Sequence, residues 1–322
     1  MFRLLRRGTA LRRIHPSSTT PTPGWLADFC ASLSRSGLAP LTFRAYCHDI
    51  HLFYQWLETI KPTPIDLSDL HSADLLSYRQ HSVNILRLRP ATINQRLQAI
   101  RQLCRWALKQ GFLSSDPSLD IRSLRLARRR CPLGLTDSEI HALLRVAGES
   151  RRTQAKRNYA LVQLLLQTGI RVGELAGLQI GDAKVRDRSG ELRIHGKGQK
   201  EREVPLNASA RRAVRLYLEA RGKTSSEEPL FLSERGRSLS VRSIEHLLRR
   251  LARKAKITRA PVTPHVLRHT FALSYLRQNP GQLVELANLL GHESLDTTAI
   301  YTQPSGEELA DDLERSHLNV YG

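Results

Sequence analysis

Residues 289–303 read LLGHESLDTTAIYTQ, and the rest of the chain is organised around this stretch. The two leucines close an amphipathic run, and Gly291 is typical of the left-handed residue that ends a helix. Ser294 is a candidate N-cap for a further short helix that reaches Tyr301, with His292 in the break between the helices. The stretch therefore predicts two helices joined by a tight turn, with the tyrosine at the end of the second.

Two upstream segments place polar and cationic side chains on one helical face. TGIRVGEL, at 168–175, sets Arg171 and Glu174 one turn apart after a glycine break. TPHVLRHTFA, at 263–272, begins with a candidate N-cap threonine and a proline at the first helical position. That start predicts a helix with His265 and Arg268 on one face, with the next residue being a further histidine.

A third segment, HGKGQKEREVPL at 195–206, sets Lys197 in a glycine-flanked turn. The runs on either side, Glu191–His195 and Arg202–Leu206, alternate between apolar and polar residues. Two such runs around a short turn predict a β-hairpin. The hairpin is the only β-structure that the pattern predicts in a chain that otherwise reads as helical.

The order R…K…HxxR…H…Y, embedded in these blocks, resembles the tyrosine recombinase family, including Xer-type recombinases and transposon or phage integrases. A chance match to all four blocks in order is far less probable than a match to one. The resemblance implies a site-specific recombinase that cuts duplex DNA through a 3'-phosphotyrosyl bond and exchanges strands with a partner site. It implies the catalytic set Arg171, Lys197, His265, Arg268, His292 and Tyr301, of which Tyr301 is the nucleophile.

The chemistry of these residue types agrees with that implication. Attack on a phosphodiester builds negative charge on the non-bridging oxygens, which fixed cationic donors stabilise. The planar forks of Arg171 and Arg268 suit phosphate oxygens, and Lys197 suits protonation of the leaving 5' oxygen. Glu174 is predicted to orient an arginine. No metal or nucleotide is required, because the cations are side chains and the phosphotyrosyl bond conserves the energy of the broken strand.

Each residue also has an ordinary interpretation. Arg171 and Glu174 could form a simple helix ion pair, and the lysine loop could be a solvated basic turn. The three histidines and Glu174 could form a zinc site, but no HExxH motif or well-spaced cysteine supports it. We interpret His269 as a packing residue. The rival functions are a type IB-like topoisomerase, a non-catalytic DNA-binding regulator and a metallohydrolase.

Composition indicates a polyanionic partner. The 322 residues include 50 Lys+Arg and 30 Asp+Glu, giving a formal net charge of +20, most simply explained by nucleic acid. The four cysteines have no metal-binding spacing. No apolar run approaches the roughly 18 to 20 residues of a membrane span. We therefore expect no membrane segment and a cytoplasmic protein. The family resemblance implies that the protein is bacterial and associated with the nucleoid.

The predicted organisation has five parts. Residues 1–21 form a basic disordered tail, for which a transit peptide or a DNA-contacting arm are alternatives. Residues 22–120 form a helical domain, which the family resemblance implies is a SAM-like, core-binding DNA clamp, and 121–134 form an exposed basic linker. Residues 135–316 form the catalytic domain, helical with a small antiparallel sheet, and 317–322 a C-terminal tail.

Two amphipathic stripes support the first helical domain. Phe43, Cys47, Ile50, Phe53 and Leu57 form one, and Ile93, Leu97, Ile100, Cys104 and Ala107 or Leu108 form the other. The opposite face of the second stripe is polar and basic, as expected for a helix in a DNA groove. The predicted DNA-binding residues are Asn94, Arg101, Arg105, Lys109, Arg128, Arg129, Arg130, Lys200, Arg202, Arg249, Arg250 and Arg253.

Local signals define the second domain in the same way. Thr136 and Glu139 form a capping-box pattern, and residues 208–222 and 241–255 are predicted helices. Residues 307–315 form a short acidic helix, which by resemblance packs on a neighbouring protomer in a homo- or heterotetramer on DNA. Gln303 departs from the family, in which a basic residue or histidine is common at that position.

Overall fold

The computed structural model describes residues 23–61, 65–126, 133–149, 152–196, 201–222, 224–292, 294–302 and 313–314. The chain divides into two compact units, Met1–Ala127 and Arg128–Gly322. The described part is mainly helical with one small sheet. No helix in the described ranges has both the length and the apolar character needed to span a membrane.

The described residues of the first unit form four α-helices, α1 (Gly24–Arg35), α2 (Pro40–Leu57), α3 (Ser72–Asn84) and α4 (Pro90–Lys109), and a 3-10 turn at Leu67–Asp69. Proline occupies the first position of both α2 and α4, where its missing amide costs no hydrogen bond. Both predicted stripes face the core, with Phe53 and Ile100 almost wholly buried. Burial of each such side chain contributes about 1.5–3 kcal/mol. The last inward-facing residue of the second stripe is Ala107 and not Leu108, since Leu108 is 39% exposed.

The segment after residue 120 belongs to the core of this unit. Ile121 is 3% exposed, and Leu124 packs against the same cluster. The Asn94 side chain donates to the Leu124 carbonyl at 2.9 Å and accepts from its amide at 2.8 Å. Arg101 donates to the Ile121 carbonyl. The prediction of an exposed linker from residue 121 is therefore wrong at its start, because an apolar side chain there completes the helical core.

The second unit contains helices α5 (Asp137–Ala147), α6 (Thr153–Thr168), α7 (Val172–Gly177), α8 (Ala208–Arg221), α9 (Val241–Lys254), α10 (Pro264–Gln278), α11 (Leu283–Leu290) and α12 (Asp296–Ala299), and strands β1 (Ala183–Val185), β2 (Gly190–His195) and β3 (Glu201–Pro205). Helix α6 runs through the core and packs against α5, α8 and α10. Residues 160–166 are buried on every face of this helix, as expected for a helix within the core.

The predicted capping box at Thr136 and the predicted hairpin are confirmed. The Thr136 hydroxyl accepts a hydrogen bond from the backbone amide of Glu139, and the Glu139 carboxylate accepts one from the backbone amide of Thr136. Strands β2 and β3 pair antiparallel, with Leu192 opposite Val204 on the buried side. The sheet also has a third antiparallel strand, β1, which the sequence did not predict. Three residues are too few to show an alternating pattern.

Candidate active site

The C-terminal end of α11 gathers arginines from three distant parts of the chain. Gly291 ends this helix with φ +66°, and the carbonyls of Leu289, Leu290 and Gly291 all accept hydrogen bonds from guanidinium groups. Their donors are Arg202 at 3.3 Å, Arg268 at 2.9 Å and Arg171 at 2.7 Å, respectively. The last carbonyls of a helix have no intrahelical partner, and they favour positive charge. The turn predicted from LLGH is therefore a helix C-terminus whose carbonyls bind arginine side chains.

A part-buried carboxylate holds two of these arginines together. Glu174, the third residue of α7, accepts from both terminal nitrogens of Arg202, at 2.9 and 2.8 Å. It also accepts from the side chain of Arg171 at 3.0 Å and from its amide at 2.8 Å. Burial opposes ionisation of this carboxyl, but the hydrogen bonds from Arg202 and the Arg171 amide prevail and lower its pKa. The ionised carboxylate offsets the repulsion between the cations.

Arg268 is the most deeply buried of the three arginines at this turn. Thr263 caps α10 by accepting from the Val266 amide, and the helix then presents Arg268 inward, at 5% exposure. Its terminal nitrogens donate to the carbonyls of Gly169, at 2.6 Å, and Leu290. Burial, followed by the charge of Arg171, lowers the pKa of Arg268 to about 10. The guanidinium is still charged at neutral pH, and each terminal nitrogen keeps a second hydrogen for another acceptor.

His292 follows the cation-binding turn directly. Its amide donates to the Ala287 carbonyl at 3.0 Å, and its Nδ1 lies 2.7 Å from the hydroxyl of Thr298. Burial and then the charges of Arg268 and Arg171 lower the pKa of His292 to about 4. The imidazole is therefore neutral at pH 7, with Nδ1 engaged and its orientation fixed by the threonine.

Tyr301 lies in a 3-10 turn, Ile300–Thr302, that follows α12. The predicted single helix is thus divided, although the Ser294 hydroxyl does accept from the Asp296 amide at 3.1 Å. Tyr301 is 7% exposed and belongs to an apolar cluster with Leu286 and Leu290. Its hydroxyl is held inside the unit, next to α10.

The contact that sequence reasoning missed is made by His269. Its Nδ1 lies 2.6 Å from the Tyr301 hydroxyl, and the two ring centroids are 5.5 Å apart. From the sequence alone, His269 is predicted to be a packing residue. The available signal was its position one turn after His265, on the same helical face, and directly after Arg268. His265 is exposed, with its ring centroid 6.5 Å from that of His269.

Lys197 and Lys200 lie outside the described residues, as do Arg128, Arg129, Arg130, Gln303, the N-terminal tail, the C-terminal tail and most of the predicted acidic helix. Of the other predicted DNA-binding residues, five are exposed on α4 and α9: Arg105, Lys109, Arg249, Arg250 and Arg253. By contrast, Asn94, Arg101 and Arg202 bind other parts of the chain. Among described residues, no group of three or more His, Cys, Asp or Glu is arranged to hold a metal ion.

Comparison with known proteins agrees with this geometry. The phage integrase family model matches residues 134–308, and the model of the phage integrase N-terminal SAM-like domain matches 25–112. The chain belongs to the phage integrase family. Its N-terminal unit has the SAM-like match that the sequence resemblance implied, and its relatives are tyrosine recombinases.

The individual relatives cover most of the chain. It is 30% identical over 308 residues to tyrosine recombinase XerC of Thermodesulfovibrio yellowstonii, covering 92% of this chain and 97% of that protein. It is 36% identical over 257 residues to tyrosine recombinase XerD of Caulobacter vibrioides, covering 77% and 83%. The fold resembles the XerH site-specific recombinase in a post-cleavage complex with palindromic difH substrate, with TM-score 0.73, 21% identity and coverage of 90% and 94%.

Proposed function

We propose that this chain is a site-specific DNA recombinase that cuts and rejoins duplex DNA through a 3'-phosphotyrosyl intermediate on Tyr301. The observation that carries the proposal is the convergence at the end of α11. Two guanidinium groups, Arg171 and Arg268, are held on successive carbonyls there. The same turn continues through His292 to the buried tyrosine. Named relatives that are tyrosine recombinases support the same activity.

In the proposed reaction, the Tyr301 oxygen attacks phosphorus, and the bond to the 5' oxygen breaks. Arg171 and Arg268 bind the non-bridging oxygens, on which negative charge increases in the transition state. Both groups are already oriented by carbonyl and carboxylate acceptors, so little reorganisation is needed during the reaction. His265 and His292 provide further hydrogen bonds to the phosphate. The reverse attack by a 5' hydroxyl from a partner strand releases the tyrosine.

We assign Lys197 as the general acid that protonates the leaving 5' oxygen, because the chain places it in the connection between β2 and β3. Arg202, whose guanidinium is bound to Glu174 and Leu289, is better assigned to positioning than to DNA binding. No metal ion or ATP is proposed. The cations are side chains, and the phosphotyrosyl bond conserves the energy of the cleaved linkage.

The proposed partner is duplex DNA carrying specific core sites, bound by dimers that pair into tetramers. Solved structures with similar folds include a lambda integrase dimer bound to a core site and a tetramer bound to a Holliday junction. The exposed arginines of α4 and α9 and the net charge of +20 support phosphate contacts. We propose a bacterial cytoplasmic location at the nucleoid.

The proposed domain division retains a DNA-clamp domain followed by a catalytic domain, with the clamp extended past residue 121. The proposed contact between protomers is made by residues 307–315. Deleting the chain after Gly306 should abolish pairing of sites while leaving binding to a single site. Intact strand exchange by the truncated protein would contradict the assignment.

The test of the activity is a covalent adduct with nicked duplexes that carry candidate sites from the DNA flanking this gene. Wild-type protein should form the adduct in EDTA, and Tyr301→Phe should bind the same duplex without forming it. Tyr275→Phe is the matched control, since that hydroxyl bonds to Gln282 away from the arginines. An adduct on Tyr301→Phe, or its loss in EDTA, would overturn the proposal.

The same proteins and DNA duplexes also distinguish the proposed recombinase from the rival functions. A topoisomerase would relax supercoiled plasmids that lack the site, whereas a recombinase joins strands only between paired sites. A non-catalytic regulator would give no adduct with any site, and Tyr301→Phe would behave as wild type in every assay.

A further inference from the structure

The hydroxyl of the proposed nucleophile faces an imidazole that is not part of the proposed phosphate-binding set. His269 Nδ1 is 2.6 Å from the Tyr301 oxygen, a short distance for a hydrogen bond between neutral groups. His269 is fixed on α10, one residue after Arg268, which is anchored to two carbonyls. The tyrosine is buried, so the contact is shielded from bulk water.

The charged groups around this ring determine its protonation. On α10 it is flanked by His265 and Arg268, the 3-10 turn contributes Tyr301, and His292 approaches from the end of α11. Burial, followed by His265 and Arg268, lowers the pKa of His269 to about 4. The imidazole is therefore neutral at pH 7, and a neutral ring can accept a hydrogen bond at one nitrogen.

Resting on the proposed function, we infer that His269 is a catalytic residue, the general base that takes the hydroxyl proton of Tyr301 during strand cleavage. As the tyrosine oxygen bonds to phosphorus, its proton passes to His269 Nδ1. The electron pair of the breaking bond goes to the 5' oxygen, which the general acid protonates. In rejoining, the imidazolium returns its proton to the departing tyrosine oxygen.

Bound DNA makes this base stronger. In the free protein, the neighbouring guanidinium groups disfavour a second positive charge on His269. A phosphate held by Arg171 and Arg268 adds negative charge next to the ring, which favours the imidazolium. The same arginines stabilise the negative charge that develops on the tyrosine oxygen as its proton leaves. Proton transfer is thus favoured only when a phosphate occupies the site. In the protein without DNA, Tyr301 therefore stays protonated.

The variant that tests this is His269→Asn. The asparagine amide lies at the position of Nδ1, so its oxygen can accept from Tyr301 but cannot take the proton at neutral pH. Adduct formation in a single turnover on nicked duplex should fall by about 10²-fold or more, the usual contribution of a general base. Replacing Tyr301 by a fluorinated tyrosine, whose phenol is more acidic, should recover most of that loss. His141→Asn, an exposed histidine on α5, should retain the wild-type rate.

A positioning role alone predicts a different result. His269→Asn would then keep the wild-type rate, or its loss would be unchanged by the fluorinated tyrosine, and either result overturns the inference. Nitrogen NMR of the wild-type imidazole provides a test without DNA, in which Nδ1 should carry no hydrogen. A protonated Nδ1 that donates to the phenol would also overturn it. If instead wild-type protein forms no adduct on Tyr301, the proposed function fails, and the NMR result decides the hydrogen-bond assignment separately.

Discussion

Gly169 joins the end of α6 to the site, and replacing it with alanine should be unusually costly. Its φ is +61°, a conformation that costs an alanine about 1–2 kcal/mol. An added Cβ would also overlap the Phe271 ring and lie 2.8 Å from a Leu290 methyl. Overpacking of this kind costs about 1–3 kcal/mol. Gly169→Ala should therefore lower the free energy of unfolding by about 2–5 kcal/mol.

Gly236 is a matched control. Its φ is +70°, but a Cβ there has no heavy atom within 4 Å. Gly236→Ala should cost only the conformational part, about 1–2 kcal/mol. Urea unfolding of the full chain, followed by far-UV circular dichroism, compares the two variants.

The position of Gly169 adds an effect on activity. Its carbonyl and that of Leu290 both bind Arg268, so displacement of either moves the guanidinium. Adduct formation by folded Gly169→Ala should be slower than by Gly236→Ala at the same temperature. Equal destabilisation and equal rates for the two variants would refute the packing argument.

Three further outcomes can be measured on the free protein. Glu174→Gln removes the part-buried charge shared by Arg171 and Arg202 and should lower the free energy of unfolding in urea by about 1–3 kcal/mol, whereas Glu191→Gln, in an exposed pair, should change stability little. Folding lowers the pKa of Glu174, so its contribution is complete above the ordinary carboxyl pKa and is lost as pH falls through the lower folded value; acid unfolding of Glu174→Gln should lack that part of the loss. Folding also lowers the pKa of His292 from 6.5 to about 4, so as pH falls the unfolded chain takes up a proton before the folded chain does. The free energy of unfolding should therefore decrease as pH falls between these two values, and the decrease should be less steep in His292→Asn.

The local features of this protein follow from short stretches of its sequence. The caps at Thr136 and Thr263, the glycine end of α11 and the hairpin around the lysine turn were predicted and are confirmed. Each depends on residues within a few positions of one another, so periodicity and capping chemistry are sufficient to specify it. The order of the four motifs also identified the protein family, because each motif consists of consecutive residues and can be recognised without the fold.

The binding partners of the polar side chains, by contrast, depend on how distant segments pack together. Arg202 and Arg101 read as free cations in sequence, yet one is held by Glu174 and the other by the Ile121 carbonyl. The pairing of His269 with Tyr301 joins positions 32 residues apart. Such contacts depend on how α10 and the turn after α12 pack around a shared core, and no local pattern encodes that packing. The sequence therefore named the chemical groups, and long-range packing determined their partners.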